Sequence, residues 1–189
     1  MTTIDVPTPS AESGVDYLLC DADQHYYEAP DALTRHLDRK YRSVVKWADI
    51  DGRRTVLING VQLTVVPNPT YDPVGVPGSL EVYFRAENRT GIELRDMISM
   101  HAIQPEYQNR DARIASLNAQ GVQLAWLIPS LGLGIEEMLQ IDPVSGMAVF
   151  EAYNRWLADD WGYDLDGRIM TGPMLPLMDA EAAAPTDES

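Results

Sequence analysis

Three apolar runs, Tyr17–Cys20, VQLAWLIP at 122–129 and RIMTGPMLPL at 168–177, are spaced so that helical segments lie between them. After the first run, Pro30 has the backbone angle of a first helical turn and Asp31 suits its positive end, so a helix is predicted through about His36. Between Gln104 and Gln120, residues Tyr107, Ala112, Ile114, Ala115, Leu117 and Asn118 make one mostly apolar face, and Gly121 is placed to end that helix. Asp142-Pro143 opens a longer helix whose stripe runs Met147, Phe150, Tyr153 or Asn154, Leu157 and Trp161, closed by Gly162. Strands joined by crossovers of a dozen or more residues have to run parallel, with right-handed connections. The prediction is an α/β fold with parallel core strands at about 16–23, 122–128 and 168–174. In such folds reactive groups gather at the carboxyl ends of the strands.

The pattern changes between about 43 and 80. Val56, Ile58, Val61, Leu63 and Val65 flank Asn59-Gly60, the dipeptide that best accepts the two positive φ angles of a tight hairpin. A β-hairpin insertion at 53–66 is therefore expected, standing outside the parallel sheet. VPNPTYDPVGVPGS at 66–79 holds four Pro and two Gly, which makes it irregular and a candidate cover. Residues 1–15 and 179–189 have no packing pattern and are expected to be a disordered arm and a disordered acidic tail around a domain at 16–178.

Against 29 Asp and Glu the chain has 14 Lys and Arg, a formal charge of -15, which repels nucleic acid and anionic lipid alike. The N-terminus has no basic and apolar leader pattern, and the near-apolar stretch 124–135 is about half a membrane span. These features imply a cytoplasmic protein with no nucleic acid or membrane partner. Cys20, the single cysteine, excludes an internal disulfide and a cysteine zinc cluster, and its apolar run suggests a small core residue.

The chemistry concentrates in DADQHYYEAP, residues 21–30. On a strand, Asp21, Asp23 and His25 would share one face. Taken without context, the run is better explained as an acidic loop or helix start than as a metal site. Its position at a strand end favours a metal, because a carboxylate facing a parallel sheet's interior costs several kcal/mol unless it is paired, protonated or bound to a cation. An Asp oxygen and a His nitrogen two residues apart can reach one divalent ion, which could activate water or polarise a small-molecule substrate.

DADQHYYEAPDALTRHL resembles the first-strand motif of the amidohydrolase-related metal-dependent hydrolases, written Asp-x-Asp-x-His-x-x-Glu-x-x-Asp. The resemblance extends to QNRDARIASLNAQGVQLAWLIPSLGLGIEEML and AYNRWLADDWG, from about Tyr17 to Met178. The family is a TIM-barrel group that includes nonhydrolytic decarboxylases. It implies a metal pair, His-x-His in the wider superfamily, at Asp23 and His25, with zinc or manganese bound. The implied reaction is C–N or C–O hydrolysis, or decarboxylation, of a small carboxylated or cyclic organic substrate. A full barrel takes about 250 residues, and this chain of 189 supplies about the first three strand-helix units, a partial (β/α)8 barrel. The family's later ligands and its proton-accepting Asp would then lie beyond Ser189. The isolated chain is accordingly expected to be inactive, a truncated noncatalytic derivative being the alternative to an enzyme, and to self-associate through its unfinished sheet.

Around the pair, Glu28 could hold His25 from behind or cap a helix, and Asp21 could support the same site. Ser130 and the glycines at 132 and 134, expected in a mobile loop, could line a substrate pocket. No Gly-x-Ser-x-Gly surrounds Ser130, which disfavours a serine hydrolase. His36 and His101 are read as surface or packing residues, and Trp126, Trp156 and Trp161 as core.

Overall fold

A computed structural model of the chain describes residues 17–85, 91 and 93–177; the predicted arm and acidic tail lie outside them. In chain order the strands are β1 (Cys20–Tyr26), β2 (Val45–Ile50), β3 (Arg53–Ile58), β4 (Val61–Gln62), β5 (Val74–Gly75), β6 (Met100–His101), β7 (Leu124–Pro129), β8 (Asp164–Leu165) and β9 (Ile169–Thr171). The α-helices are α1 (Glu81–Phe84), α2 (Leu94–Met97), α3 (Arg110–Gln120), α4 (Gly132–Leu139) and α5 (Pro143–Asp160).

The principal sheet has the order β1-β7-β9-β8. β1 pairs with β7 and β7 with β9, both in parallel, as the alternation of strands and helices requires. The two-residue β8 folds back antiparallel on β9. Helix α3 makes the first crossover. Asn109 caps it by accepting from the Ala112 N–H at 2.9 Å, and Gly121, with φ 71°, ends it in the left-handed conformation that costs glycine nothing. The helix predicted from Gln104 is preceded instead by a single 3-10 turn at Pro105–Tyr107. Helix α5 opens on Pro143 as predicted, and its buried face runs through Val149, Phe150, Tyr153, Trp156 and Leu157, with Met147 half-buried.

Two further expectations give way. The segment after β1 is a series of turns from Pro30 to His36 and not a helix; only the Arg35 N–H reaches back a full helical turn, to the Asp31 carbonyl at 2.7 Å. So short a segment cannot repay helix nucleation from its own hydrogen bonds. The glycines expected in a mobile loop lie in α4. A side chain on Gly132 would meet the Tyr153 hydroxyl and the Pro129 Cβ at 3.0 Å, and one on Gly134 would meet Val66 Cγ2 at 3.0 Å. These glycines are there for close packing.

The 43–66 region is a separate three-stranded antiparallel sheet, β2-β3-β4. Its turns are Asp51-Gly52 (φ 51° and 75°) and Asn59-Gly60 (φ 51° and 79°), two instances of one dipeptide signal. Val45, Val56, Ile58 and Leu63 join the main apolar cluster, and the Trp47 indole donates to the Pro30 carbonyl at 2.8 Å, tying the insertion to the turns after β1. In the Pro-rich stretch, β5 pairs with β6, and Tyr71 stacks on Tyr27 with ring centroids 4.3 Å apart.

The core lies on the helical side of the principal sheet. Tyr26, Tyr153, Trp156 and Trp161 are all buried there, each large ring contributing roughly 3 kcal/mol of apolar burial. The opposite face is open. Trp126, expected in the core, is 44 % exposed, and Cys20 is exposed as well. Both sit on strands whose second face nothing covers among the described residues.

Candidate active site

Tyr26, the last residue of β1, turns inward, with its ring centroid 5.5 Å from that of Trp161. The pleat therefore sends His25 to the open face, where its register partner is Ile128. Asp23, two residues earlier, is exposed like His25. The two exposed side chains are two residues apart on β1.

Asp21 does not join them. The register with β7 slips between Asp21 and Gln24, so that β1 carries one residue more than its partner. The Asp21 carboxylate accepts from the Asp23 N–H at 3.1 Å and from the Gln24 side-chain amide at 2.9 Å. It is spent on the bulge. The strand also begins and ends later than the predicted 16–23, which leaves Asp21 and Asp23 inside it and only His25 near its carboxyl end.

The bulge is clamped by Arg113, a residue the sequence reading passed over. Its guanidinium donates to the Gln24 side chain at 2.8 Å, to the His25 carbonyl at 2.8 Å and to the Glu106 carbonyl at 2.7 Å. Arg113 is buried, stacked over Tyr107 and Trp161, and burial pulls its pKa below the ordinary value. A charged residue inside a helix's apolar stripe, four before Leu117, was the available signal.

Glu28 is 3 % exposed. Its carboxylate accepts from the N–H groups of Ser130 at 3.2 Å, Leu131 at 2.9 Å and Gly132 at 2.9 Å, and from the Tyr153 hydroxyl at 2.9 Å. Because Tyr153 donates to the carboxylate, its oxygen is left to accept from Tyr26, 2.8 Å away. Glu28 does cap a helix, but that helix is α4, a hundred residues downstream, whose first N–H groups have no partner within the helix. Burial pushes the Glu28 carboxyl up, and the backbone donors pull it down. Burial and the nearby carboxylate push Tyr26 and Tyr153 up too, so both phenols stay protonated donors.

Ser130 follows directly on β7. Its hydroxyl donates to the Tyr26 carbonyl at 2.9 Å and lies 3.3 Å from His25 Nδ1. It is therefore a neighbour of the candidate pair, held in a fixed turn and not in a loop. His36 lies elsewhere, with Nε2 2.8 Å from the Asp159 carboxylate, and His101 packs edge-on to Tyr107. Among the described residues no group of three or more His, Cys, Asp and Glu side chains is placed to hold a metal ion.

The described residues form an α/β chain whose principal sheet is built on parallel strands, with an exposed carboxylate and an exposed imidazole on the first. No family model matches it, and no curated protein does. Among solved structures it is similar to an amidohydrolase from Mycobacterium avium subsp. paratuberculosis K-10, with 39% identity and a TM-score of 0.84. The match covers 89% of this chain and 45% of that one, so the chain spans under half of that protein's length. Among the described residues no helix is long and apolar enough to cross a membrane.

Proposed function

We propose that the chain provides the first-strand part of an amidohydrolase-type site on a partial (β/α)8 barrel. In it Asp23 and His25 hold one divalent ion, zinc or manganese, for C–N or C–O hydrolysis or decarboxylation of a small organic acid. The observation that carries this reading is the likeness to an amidohydrolase at 39% identity and TM-score 0.84. The donor set fits: an imidazole nitrogen and a carboxylate oxygen suit zinc, and a carboxylate suits manganese. A bound divalent ion would supply Lewis-acid polarisation and an acidified water.

The chain's own residues do the rest. Arg113, bonded to the His25 carbonyl at 2.8 Å, fixes the strand end. Ile128 lies beside His25 in the register, and Trp126 pairs with Met170, so an apolar floor adjoins the candidate ligands and could seat the carbon skeleton of an organic substrate. Asp23 is the one carboxylate of the pair free to face a ligand, since Asp21 is bonded into the bulge.

A zinc site that activates water ordinarily takes three protein ligands. With two candidates among the described residues, the 189-residue chain alone is expected to bind zinc or manganese weakly and to turn over nothing, as a noncatalytic derivative would. Isothermal titration with each metal, on wild type and on the variants Asp23→Ala and His25→Ala, tests the pair. Weak binding that each substitution abolishes is expected, and binding indifferent to both would remove the site. An assay panel of small amides, lactones and aromatic carboxylates tests the rest, because turnover by this chain would make it an enzyme in its own right.

A further inference from the structure

We infer that Ser130 is a positioning residue that fixes the tautomer of His25, holding the proton on Nδ1 and turning the lone pair of Nε2 toward the open face. The argument is a proton count at one oxygen. A serine hydroxyl has a single proton to give. The Tyr26 carbonyl, 2.9 Å from Ser130 Oγ, can only accept, so that proton goes to it. His25 Nδ1, 3.3 Å from the same oxygen, completes a second hydrogen bond only by donating. In a neutral imidazole a proton on Nδ1 leaves Nε2 as the acceptor.

The hydroxyl is well placed to impose this. Glu28 grips the Ser130 N–H at 3.2 Å and the next two N–H groups at 2.9 Å, so the turn carrying Ser130 is fixed from the core. Arg113 fixes the other side through the His25 carbonyl at 2.8 Å. The imidazole is thus held between a buried carboxylate cap and a buried guanidinium clamp, with neither touching the ring. Solvent alone would leave the ring free to exchange tautomers.

This inference deepens the metal reading without depending on it, since the tautomer is a property of the free chain. The test is long-range nitrogen–proton correlation NMR on the full chain labelled at histidine nitrogen, at a pH where the ring is neutral, with His25→Ala to assign the signal. Wild type should show His25 protonated on Nδ1. Ser130→Ala should lose that preference and Ser130→Thr, which keeps the hydroxyl, should restore it. A proton on Nε2 in wild type, or a tautomer unchanged in Ser130→Ala, would overturn the inference.

Zinc titration of the same variants separates the two readings. Removing an outer partner of a histidine ligand lowers metal affinity about tenfold or more, so Ser130→Ala should bind zinc about tenfold more weakly while Ser130→Thr keeps the affinity. If the tautomer responds as expected and neither wild type nor variant binds zinc, the positioning role stands and the metal reading falls. If zinc binds equally to all three proteins and the tautomer is unchanged in Ser130→Ala, the inference fails.

Discussion

Glu28 sits where three backbone N–H groups and a phenol converge, and among the described residues no cation pairs with it to offset its burial. Removing it would leave those donors buried and unpaired, so Glu28→Ala should cost about 2–4 kcal/mol in chemical denaturation. Glu28→Gln should also destabilise, because one amide N–H₂ would then face the Leu131 N–H. The pH dependence carries a definite sign. Burial raises the folded-state pKa above the unfolded value near the ordinary glutamate range. Stability from this group is therefore fully present below the unfolded pKa and is lost as pH rises through the folded one. The gap in stability between wild type and Glu28→Gln should narrow from pH 4 upward; a gap that widens would mean the backbone donors outweigh burial. Arg113 invites a companion test. Arg113→Met keeps much of the packing against Tyr107 and Trp161 but frees Gln24 and the His25 carbonyl, so amide exchange at Asp23, Gln24 and His25 should speed up.

At the scale of elements, the β1 bulge decides which side chains the strand offers. Were residues 21–25 a regular pleat with no bulge, the alternation would carry Asp21 to the face of Asp23 and His25. The insertion's turns make a second prediction. Gly52 and Gly60 have φ of 75° and 79° with open space around their Cα atoms, so alanine there would meet backbone strain and no clash. Gly60→Ala and Gly52→Ala should each cost about 1 kcal/mol. Gly132→Ala differs in kind, because its cost is steric: the Tyr153 hydroxyl and Pro129 stand 3.0 Å from the new methyl. It should be paid by displacing Tyr153 from Glu28, and a Gly132→Ala, Tyr153→Phe double mutant should show coupling between the two sites.

At the scale of the whole molecule, one face of the principal sheet is buried and, among the described residues, the other is open. Trp126 (44 %), Leu18 (39 %) and Leu19 (39 %) are exposed, and β1 is an edge strand. Such a face and edge favour association. The formal charge of -15 opposes it, but at about 0.15 M salt the Debye length is ~8 Å and repulsion between subunits is largely screened. The chain should therefore self-associate, more strongly as salt rises, and Trp126→Glu should weaken the association. Sedimentation velocity at low and high salt checks this, and a compact monomer under both conditions would show that the open face needs no partner.

The sequence by itself determined the three core strands and their parallel sense, the end of α3 at Gly121, the start of α5 at Pro143 and the Asn59-Gly60 turn. Each of those follows from local periodicity or from one residue's backbone preference. It also marked Asp23 and His25, because two polar residues at strand spacing are visible in one short segment. Tertiary structure alone decided that Asp21 bonds into a bulge, that Arg113 clamps it, and that Glu28 caps a helix more than a hundred residues away. These are matters of which distant donors meet which acceptors, and local sequence does not encode that pairing. The exposure of Trp126 and Cys20 belongs to the same class: an apolar residue on a strand is buried only if something covers its face, and coverage is a property of the assembled molecule.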